Sequence, residues 1–290
     1  MKKIRAYIPN VLLTFLLVFA LIGAEAVLFV QAMLTPETFR YITKQEALGE
    51  KSYAALEKTF TTRAHSTGIP AEVFLDTITQ EMMEQQIELH TEQAFAQLGI
   101  GESRDTAMEY PEMEASIRAY LENYADENGY EKDAAFEEKV ASITAEARQI
   151  VEDTADPFKL GTLRRNGWLD AGKRYLGYLK PAVIGSIALV ILLMVLLLFC
   201  NLKQKPLLLY WYGLAALVGG VLPLLPCIYL KATDYFAAFA VKDPQIFAAV
   251  VGLLRLFTDR ALVMAAVTAG CGVLLLIVFA VAGRKVPEEA

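Results

Sequence analysis

One uncharged apolar run of the chain extends over residues 181–202, and its only polar side chains are Ser186 and Asn201. A helix rises about 1.5 Å per residue, so a helix over this run measures roughly 33 Å. That length matches the hydrocarbon core of a bilayer, which is about 30 Å thick. The pattern therefore predicts a transmembrane helix at 181–202.

Three further apolar runs have the length of a membrane span, and they lie at 8–34, 207–230 and 261–282. The connection at 203–206 is long enough only for a turn between two antiparallel helices. Residues 231–260 form an outer loop in this interpretation, because the apolar stretch 244–283 is about twice as long as one span requires. Its part 244–257 is predicted to be an amphipathic segment at the outer membrane surface.

The first span follows a short basic N-terminus at 1–7. Ala24-Glu25-Ala26 resembles a signal peptidase site, so removal of a signal peptide is one alternative. The apolar character continues beyond this site to Leu34, and cleavage would leave that segment at a free end. We therefore predict an uncleaved signal anchor.

The polar residues 35–180 show apolar side chains at spacings of three and four, which is typical of amphipathic helices. Thr35-Pro36-Glu37 and Pro111 have the chemistry of helix starts, and Gly68, Gly99 and Asn128-Gly129 that of helix ends. One helical segment is predicted from Pro70 to Leu98, and another from about Leu160 straight into the second span. The chain is thus predicted to be all-α, a four-helix transmembrane bundle with a mostly helical domain inserted between the first and second spans.

The charges are segregated between these two parts. Residues 35–180 contain 27 Asp and Glu and 16 Lys and Arg, a net charge of −11, whereas the remaining residues contain 6 acidic and 11 basic side chains, a net charge of +5. An acidic domain of this kind argues against nucleic acid as a partner, because phosphates need a basic surface.

Seven cations predict the orientation: Lys2, Lys3, Arg5, Lys203, Lys205, Arg284 and Lys285. They share one side of the membrane if there are four spans, and the positive-inside rule makes that side the cytoplasm. Both termini, 1–7 and 283–290, are then cytoplasmic, and 35–180 is extracytoplasmic in a multi-pass protein of the cell membrane. Cations flanking the second span on the outer side oppose this orientation, although long loops count little in the rule.

Two further features of the apolar runs predict local structure. Trp168, Tyr175, Tyr178 and Trp211 are expected at the headgroup level, where amphipathic aromatic rings prefer to lie. A kink covered by neighbouring helices is expected in the third span, at Gly219, Gly220, Pro223 and Pro226.

Glu25 is an ionisable residue within the first apolar run. A bare carboxylate there is costly, so it is expected to be protonated, paired or turned to a water-filled cavity. Arg255 and Arg260, near the predicted outer face, are the available partners. A proton or ion relay and a structural pair are both open, and the lack of a second acidic residue in the spans favours the structural pair.

No catalytic, cofactor or metal motif is present in the sequence. His65 and His90 are the only histidines, and neither has a second ligand at metal-binding spacing. All three cysteines, Cys200, Cys227 and Cys271, lie in apolar runs, so the polar domain has no disulfide framework, as is usual for a bacterial extracytoplasmic domain of packed helices. We predict no enzyme, no cofactor and no metal site.

The segments Leu34-Thr-Pro-Glu-Thr-Phe39 and Gly68-Ile-Pro-Ala-Glu-Val-Phe74 resemble a pattern in uncharacterised bacterial four-span membrane proteins. This resemblance covers about the first hundred residues and implies no particular activity. The order of one span, an outer domain and three spans is also similar to the permease subunits of ABC transporters. The connection 203–206 is shorter than the segment with which such permeases contact their ATPase.

Two functional hypotheses follow. The leading hypothesis is a non-enzymatic membrane protein whose extracytoplasmic helical domain recognises a partner, an envelope component or a signal. In this hypothesis the spans anchor the protein in the membrane and offer a surface for a protein partner or for a homo-oligomer. The alternative is a subunit of a transporter or of a mechanotransmitting ABC-type permease complex. Copurification of an ATPase would favour the alternative.

Overall fold

The computed structural model describes residues 2–101, 109–202 and 204–283, without the side chains of 2–6, Lys205 and Gly283. Within these residues the secondary structure is helical and contains no strand. The helices are α1 Lys2–Met33, α2 Pro36–Gln45, α3 Leu48–Thr67, α4 Glu72–Leu75, α5 Gln80–Gln97, α6 Pro111–Asn128, α7 Ala134–Thr154, α8 Leu160–Arg165, α9 Trp168–Leu176, α10 Leu179–Cys200, α11 Lys205–Ala232 and α12 Pro244–Gly283, with a 3-10 turn at Tyr235–Ala238.

Four stretches of helix are long and apolar enough to cross a membrane: Tyr7–Met33, Trp168–Cys200, Pro206–Ala232 and Pro244–Ala282. The predictions of an all-α chain and of four candidate spans are therefore confirmed. The predicted turn at Lys203, the tail after Gly283 and the side chains of the seven cations used for orientation lie outside the described residues.

The chain divides into two compact units. Unit 1 comprises the described residues of Met1–Leu34, Arg174–Ala238 and Leu254–Ala290, and unit 2 those of Thr35–Lys173 and Phe239–Leu253. Unit 1 contains most of the apolar helical length, whereas unit 2 contains α2 to α8 and the beginning of α12.

The core of unit 1 forms around Trp211, which is only 2% exposed. Leu17 of α1 and Leu197 of α10 are buried in the same cluster. The Trp211 ring lies edge-on to Tyr7 and to Tyr210, with ring centroids 5.2 and 5.0 Å away. The helical period places this ring on the face of α11 that packs against α1 and α10, and the expectation that Trp211 lies at the headgroup level stays a prediction.

Glycines allow α11 and α12 to approach closely. A Cβ atom added to Gly220 would lie 2.3 Å from the Ala269 nitrogen and 2.6 Å from the Ala265 carbonyl oxygen. On α12, a Cβ atom added to Gly272 would lie 2.3 Å from the Leu217 nitrogen. No larger residue fits at Gly220 or Gly272 without moving backbone, so the crossing depends on these two positions.

The third span is one continuous helix, α11, across Gly219, Gly220, Pro223 and Pro226. The kink expected at these residues stays a prediction. Each proline removes one backbone donor, yet the remaining helical bonds and the packing of unit 1 maintain the helix across them. Gly220 serves the contact with α12, and a Cβ atom at Gly219 would lie 3.6 Å from Leu21 of α1.

One continuous helix of 40 residues, α12, joins the segment predicted at 244–257 to the span predicted at 261–282. No glycine or proline lies between Phe257 and Ala261 to end a helix there. The polar residues at this point are accommodated locally: the Thr258 hydroxyl donates to the Leu254 carbonyl at 2.8 Å, and Asp259 accepts from Lys231 at 2.6 Å.

The helix ends of unit 2 follow the predicted chemistry. The Thr35 hydroxyl accepts a hydrogen bond from the Thr38 amide at 3.3 Å, which caps α2 ahead of its first-turn proline. Gly68 and Gly129 end α3 and α6 with φ of 75° and 69°, backbone angles that favour glycine. The predicted boundaries at these three residues are confirmed.

Aromatic rings fill the core of unit 2. Phe39 packs edge-on against Phe95 and Phe158, with centroids 5.1 and 4.9 Å apart, and so joins α2, α5 and the segment before α8. Phe60 of α3 and Phe74 of α4 stack at 4.5 Å. These ring contacts involve α2, α3, α4, α5 and the segment before α8. The edge-on and stacked arrangements of the rings add to the stabilisation that comes from their burial.

Two predicted continuous helices are divided in the structure. The segment from Pro70 to Leu98 contains α4 and α5, because the Thr79 hydroxyl accepts from the Met82 amide at 3.1 Å and starts a new helix. The segment from Leu160 into the second span contains α8, α9 and α10. Gly167, with φ of 72°, separates the first two of these helices.

Candidate functional site

Glu25 is partnered within the apolar helices of unit 1. Its carboxylate accepts a hydrogen bond from the Thr268 hydroxyl of α12, and its side chain is half-buried. The predicted partners, Arg255 and Arg260, are not bonded to it. Thr268 follows Arg255 by 13 residues, about 20 Å along a helix, so a hydroxyl deeper in α12 meets Glu25 instead.

Two charged residues of α12 in unit 1 pair with the end of α11 and with the segment that follows it. Arg255 donates to Asp234 at 2.8 Å, and Lys231 donates to Asp259 at 2.6 Å. All four side chains are substantially exposed, so these pairs are worth roughly 1 kcal/mol or less each in water. Arg260 is exposed and has no ion pair within the part of the chain that the structure describes.

A buried amide pair joins α1 to the end of α10. The Asn10 side chain donates to the Asn201 carbonyl oxygen at 3.1 Å, and Asn201 donates back at 3.0 Å. Asn201 also donates to the Leu197 carbonyl at 2.8 Å. The two asparagines lie in different apolar runs 191 residues apart, so nothing local in the sequence indicates that they meet.

These intramembrane groups are arranged as helix-to-helix bonds. Each polar side chain contacts one partner on a neighbouring helix, and no three His, Cys, Asp or Glu residues converge among the described residues. Such an arrangement can fix the positions of α1, α10 and α12, which is how polar side chains serve in membrane bundles. The side chains of Trp168, Tyr175 and Tyr178 are all exposed, so their rings are free to contact the surrounding lipid or water.

An apolar concavity of unit 2 lies between α6, α7 and the turn after α3, and we call it the aromatic cleft. Its volume is about 570 Å³. Its apolar and aromatic lining comprises Ile69, Tyr120, Leu121, Tyr124, Tyr130, Phe136, Val140 and Ile143. A cleft of this size and lining is typical of binding sites, which range over roughly 300–1,000 Å³.

The rings of the aromatic cleft are held in place yet remain accessible. The Tyr120 hydroxyl donates to the Gly68 carbonyl at 3.2 Å, which ties α6 to the end of α3. Tyr124 and Tyr130 stack with centroids 6.3 Å apart and planes inclined by 22°. These two rings are 50% and 62% exposed, although apolar and aromatic side chains surround them. An accessible, preordered aromatic surface can bury a partner's apolar side chain at little entropic cost.

Charged pairs stiffen the helices around the aromatic cleft. Arg118 of α6 donates through two nitrogens to Glu137 of α7, at 3.1 and 2.9 Å. Hydrogen bonding to this guanidinium lowers the pKa of Glu137, and the bond to Glu137 raises the pKa of Arg118. The Asp133 carboxylate caps α7 by accepting from the Phe136 amide at 3.0 Å. The Arg118–Glu137 pair thus links α6 to α7, and Asp133 secures the beginning of α7.

A smaller polar pocket lies beside His90, and its lining also includes Glu152, Asp156 and Arg164. Burial lowers the pKa of His90, whereas Asp156 and Glu152 raise it. Asp156 is occupied locally, since it accepts from the amides of Leu160 and Gly161 at 2.7 and 2.8 Å.

The aromatic cleft is the site that the sequence pattern does not reveal. The apolar periodicities of α6 and α7 predict that Tyr124 and Ile143 face a core, and periodicity is the same for a core and for a cleft. The signal that separates the two is a density of tyrosines on α6 and just after it, since Tyr120, Tyr124 and Tyr130 recur within eleven residues. Tyrosine is common at interfaces because one end of its ring is apolar and the other can remain wet.

No protein-family model, no curated protein and no solved structure matches the chain.

Proposed function

We propose that this chain is a non-enzymatic multi-pass membrane protein that recognises a protein partner through the aromatic cleft of unit 2. The four apolar helices anchor the protein, and α6 and α7 present the cleft. The observation that carries this proposal is the exposure of Tyr124 and Tyr130 on an apolar concave surface. Soluble surfaces rarely leave such patches open unless they bind something.

The partner of the aromatic cleft is proposed to present apolar side chains next to basic ones. The floor of the cleft is apolar, and Glu131 and Asp133 line it together with one cation, Lys139. Residues 35–180 have a net charge of −11, which favours encounter with a basic surface. Tyrosines at the centre of an interface are frequent energetic hot spots, so Tyr124 is expected to contribute much of the affinity.

In this proposal unit 2 is exposed outside the cytoplasm. Its principal part, Thr35–Lys173, lies in sequence between the first and second candidate spans, and the basic N-terminus favours a cytoplasmic start of the chain.

Cysteine labelling tests this topology, because the only native cysteines are Cys200, Cys227 and Cys271 and serine can replace them. In that background, Glu127→Cys is expected to react with a membrane-impermeant maleimide added to intact cells. Reaction only after lysis would contradict the topology.

Photo-crosslinking from the aromatic cleft tests partner recognition directly. Benzoylphenylalanine placed at Tyr124 or at Tyr130 in native membranes is expected to capture the same protein. The matched control is benzoylphenylalanine at Tyr41, another exposed tyrosine of unit 2, which lies on α2 outside the cleft. An adduct shared by all three positions, or none from the two cleft positions, would contradict the proposal.

A further inference from the structure

A second cavity of unit 2 differs from the aromatic cleft in its charge. It lies between α3 and the beginning of α12, with Thr154 of α7 on one side, and its volume is about 630 Å³. Four cations line it, Lys51, Lys58, Arg63 and Lys242, together with one acidic residue, Asp243. We call it the cationic cavity, since this excess of positive charge lies within a domain that is otherwise strongly acidic.

Two of the four cations are free to bind a ligand. Arg63 pairs with Glu146, and Lys51 donates to the Glu46 carbonyl at 2.6 Å. Lys58 and Lys242 are exposed and have no ion pair among the described residues. They approach the cavity from different elements, α3 and the segment before α12, so a ligand between them would be bound from two sides.

The N-terminus of α12 adds backbone donors to the cationic cavity. In the first turn of a helix the amide groups lack intrahelical acceptors, and the helix dipole favours an anion there. The Phe247 amide is satisfied by the Asp243 carbonyl at 2.9 Å. No side chain caps the amides of Gln245 and Ile246 among the described residues, so these donors remain available.

Gln245 points to a ligand independently of the helix end. Its side chain lines the cationic cavity and is only 8% exposed, yet its buried carbonyl oxygen has no hydrogen-bond partner in the described part of the chain. A buried polar atom without a partner costs roughly 1–3 kcal/mol. A ligand that donates a hydrogen bond would satisfy this oxygen.

We propose that the cationic cavity binds a phosphate ester, with the phosphate between Lys58, Lys242 and the first amides of α12. A phosphate offers several acceptor oxygens to these donors. Its own P–OH group, or a hydroxyl of the esterified alcohol, can donate to Gln245. A sulfate carries no such donor, so phosphate is expected to bind more tightly than sulfate. This proposal is independent of partner recognition by the aromatic cleft.

Calorimetry on the full-length protein in phosphatidylcholine nanodiscs tests the site with inorganic phosphate, sn-glycerol 3-phosphate and sulfate as probes. Lys58→Gln and Lys242→Gln are each expected to weaken phosphate binding roughly tenfold, since each removes a charged hydrogen-bond donor. Asp243→Asn is expected to strengthen it, because a like charge is removed. The matched control is Lys44→Gln, which changes the net charge of unit 2 equally but lies outside the cavity.

A second arm distinguishes a lipid headgroup from a soluble ester. Native mass spectrometry of protein from phosphatidylglycerol-containing nanodiscs is expected to show retained phosphatidylglycerol, lost in Lys58→Gln and Lys242→Gln, if the source is a lipid. Saturable binding of glycerol 3-phosphate in the first arm indicates a soluble source. Absence of binding in both arms, or equal effects of Lys44→Gln and Lys58→Gln, would overturn the proposal.

Gln245→Leu separates a ligand-binding role from a structural one. The substitution removes an unpartnered buried carbonyl oxygen, so the thermal midpoint of the unliganded protein is expected to stay the same or rise. Phosphate binding is expected to weaken in the same variant. A variant that unfolds more easily and binds phosphate normally would show that Gln245 serves the fold and not the ligand.

Discussion

The hydroxyl of Thr268 on α12 donates a hydrogen bond to the carboxylate of Glu25 on α1. The bond joins two candidate membrane helices whose polar residues are 243 positions apart in the chain. The Thr268 hydroxyl gives this carboxylate a hydrogen-bond partner on a neighbouring helix without a second acidic residue or a cation.

We expect Thr268→Val to lower the free energy of unfolding in lipid bicelles by about 0.6 to 1.7 kcal/mol, the range of interhelical hydrogen bonds in membranes. Steric trapping measures this quantity. In a Glu25→Leu background the same substitution is expected to have little further effect, because the acceptor is already gone. Thr14→Val is the control, since the Thr14 hydroxyl is buried without a partner among the described residues. Equal losses for Thr268→Val and Thr14→Val would contradict this assignment.

The crossing of α11 and α12 leads to a second prediction. Gly220→Ala introduces a methyl group 2.3 Å from the Ala269 nitrogen, so we expect a loss of about 1–3 kcal/mol from overpacking. Gly270→Ala is the matched control on α12, because nothing lies within 4 Å of the added carbon. Unfolding in bicelles is the measurement for both variants. A Gly220→Ala protein as stable as Gly270→Ala would contradict the close backbone approach.

His90 predicts a dependence of stability on pH. Burial lowers the pKa of His90 from its usual value near 6.5, so the unfolded chain takes up this proton at a higher pH than the folded one. The contribution of neutral His90 to stability is therefore complete above about pH 6.5 and decreases as the pH falls below it. The neighbours Asp156 and Glu152 oppose this shift, whereas Arg164 adds to it.

The thermal midpoint of the full-length protein in micelles is expected to fall between about pH 7.5 and about pH 5.5. In His90→Gln the decrease over this interval should be smaller, because the group that takes up the proton is absent. His65→Gln is the control, since His65 is exposed on α3. A wild-type decrease that persists unchanged in His90→Gln would assign the pH dependence to other groups.

The boundaries of the helices were largely predictable because they depend on local chemistry. Thr35 caps the residues that follow it, and Gly129 adopts a backbone angle that its neighbours cannot adopt cheaply. Continuity across Asp259 and across Pro223 was not predictable from the same signals. At Asp259 no glycine or proline ends the helix, so charge alone does not mark a boundary there. At Pro223 the remaining helical bonds and the packing of unit 1 maintain the helix.

The candidate site was less predictable, because it depends on which faces remain uncovered. Periodicity places Tyr124 and Phe136 on apolar faces, but it does not say whether another helix covers those faces. Trp211 illustrates the converse case, since the sequence does not indicate that α1 and α10 cover this aromatic ring near the end of a span. Glu25 was recognised as unusual, yet its partner Thr268 is an ordinary residue of another span.

The affinity of the crosslinked partner tests partner recognition by the aromatic cleft most directly. The dissociation constant of the purified partner should be measured against wild type, Tyr124→Ala and Tyr41→Ala, each as full-length protein in nanodiscs. Because truncation of a central aromatic hot spot costs about 2 kcal/mol, we predict that Tyr124→Ala binds roughly thirtyfold more weakly. Tyr41→Ala should bind like wild type. Equal affinities of wild type and Tyr124→Ala would contradict the proposal that this cleft is the recognition site.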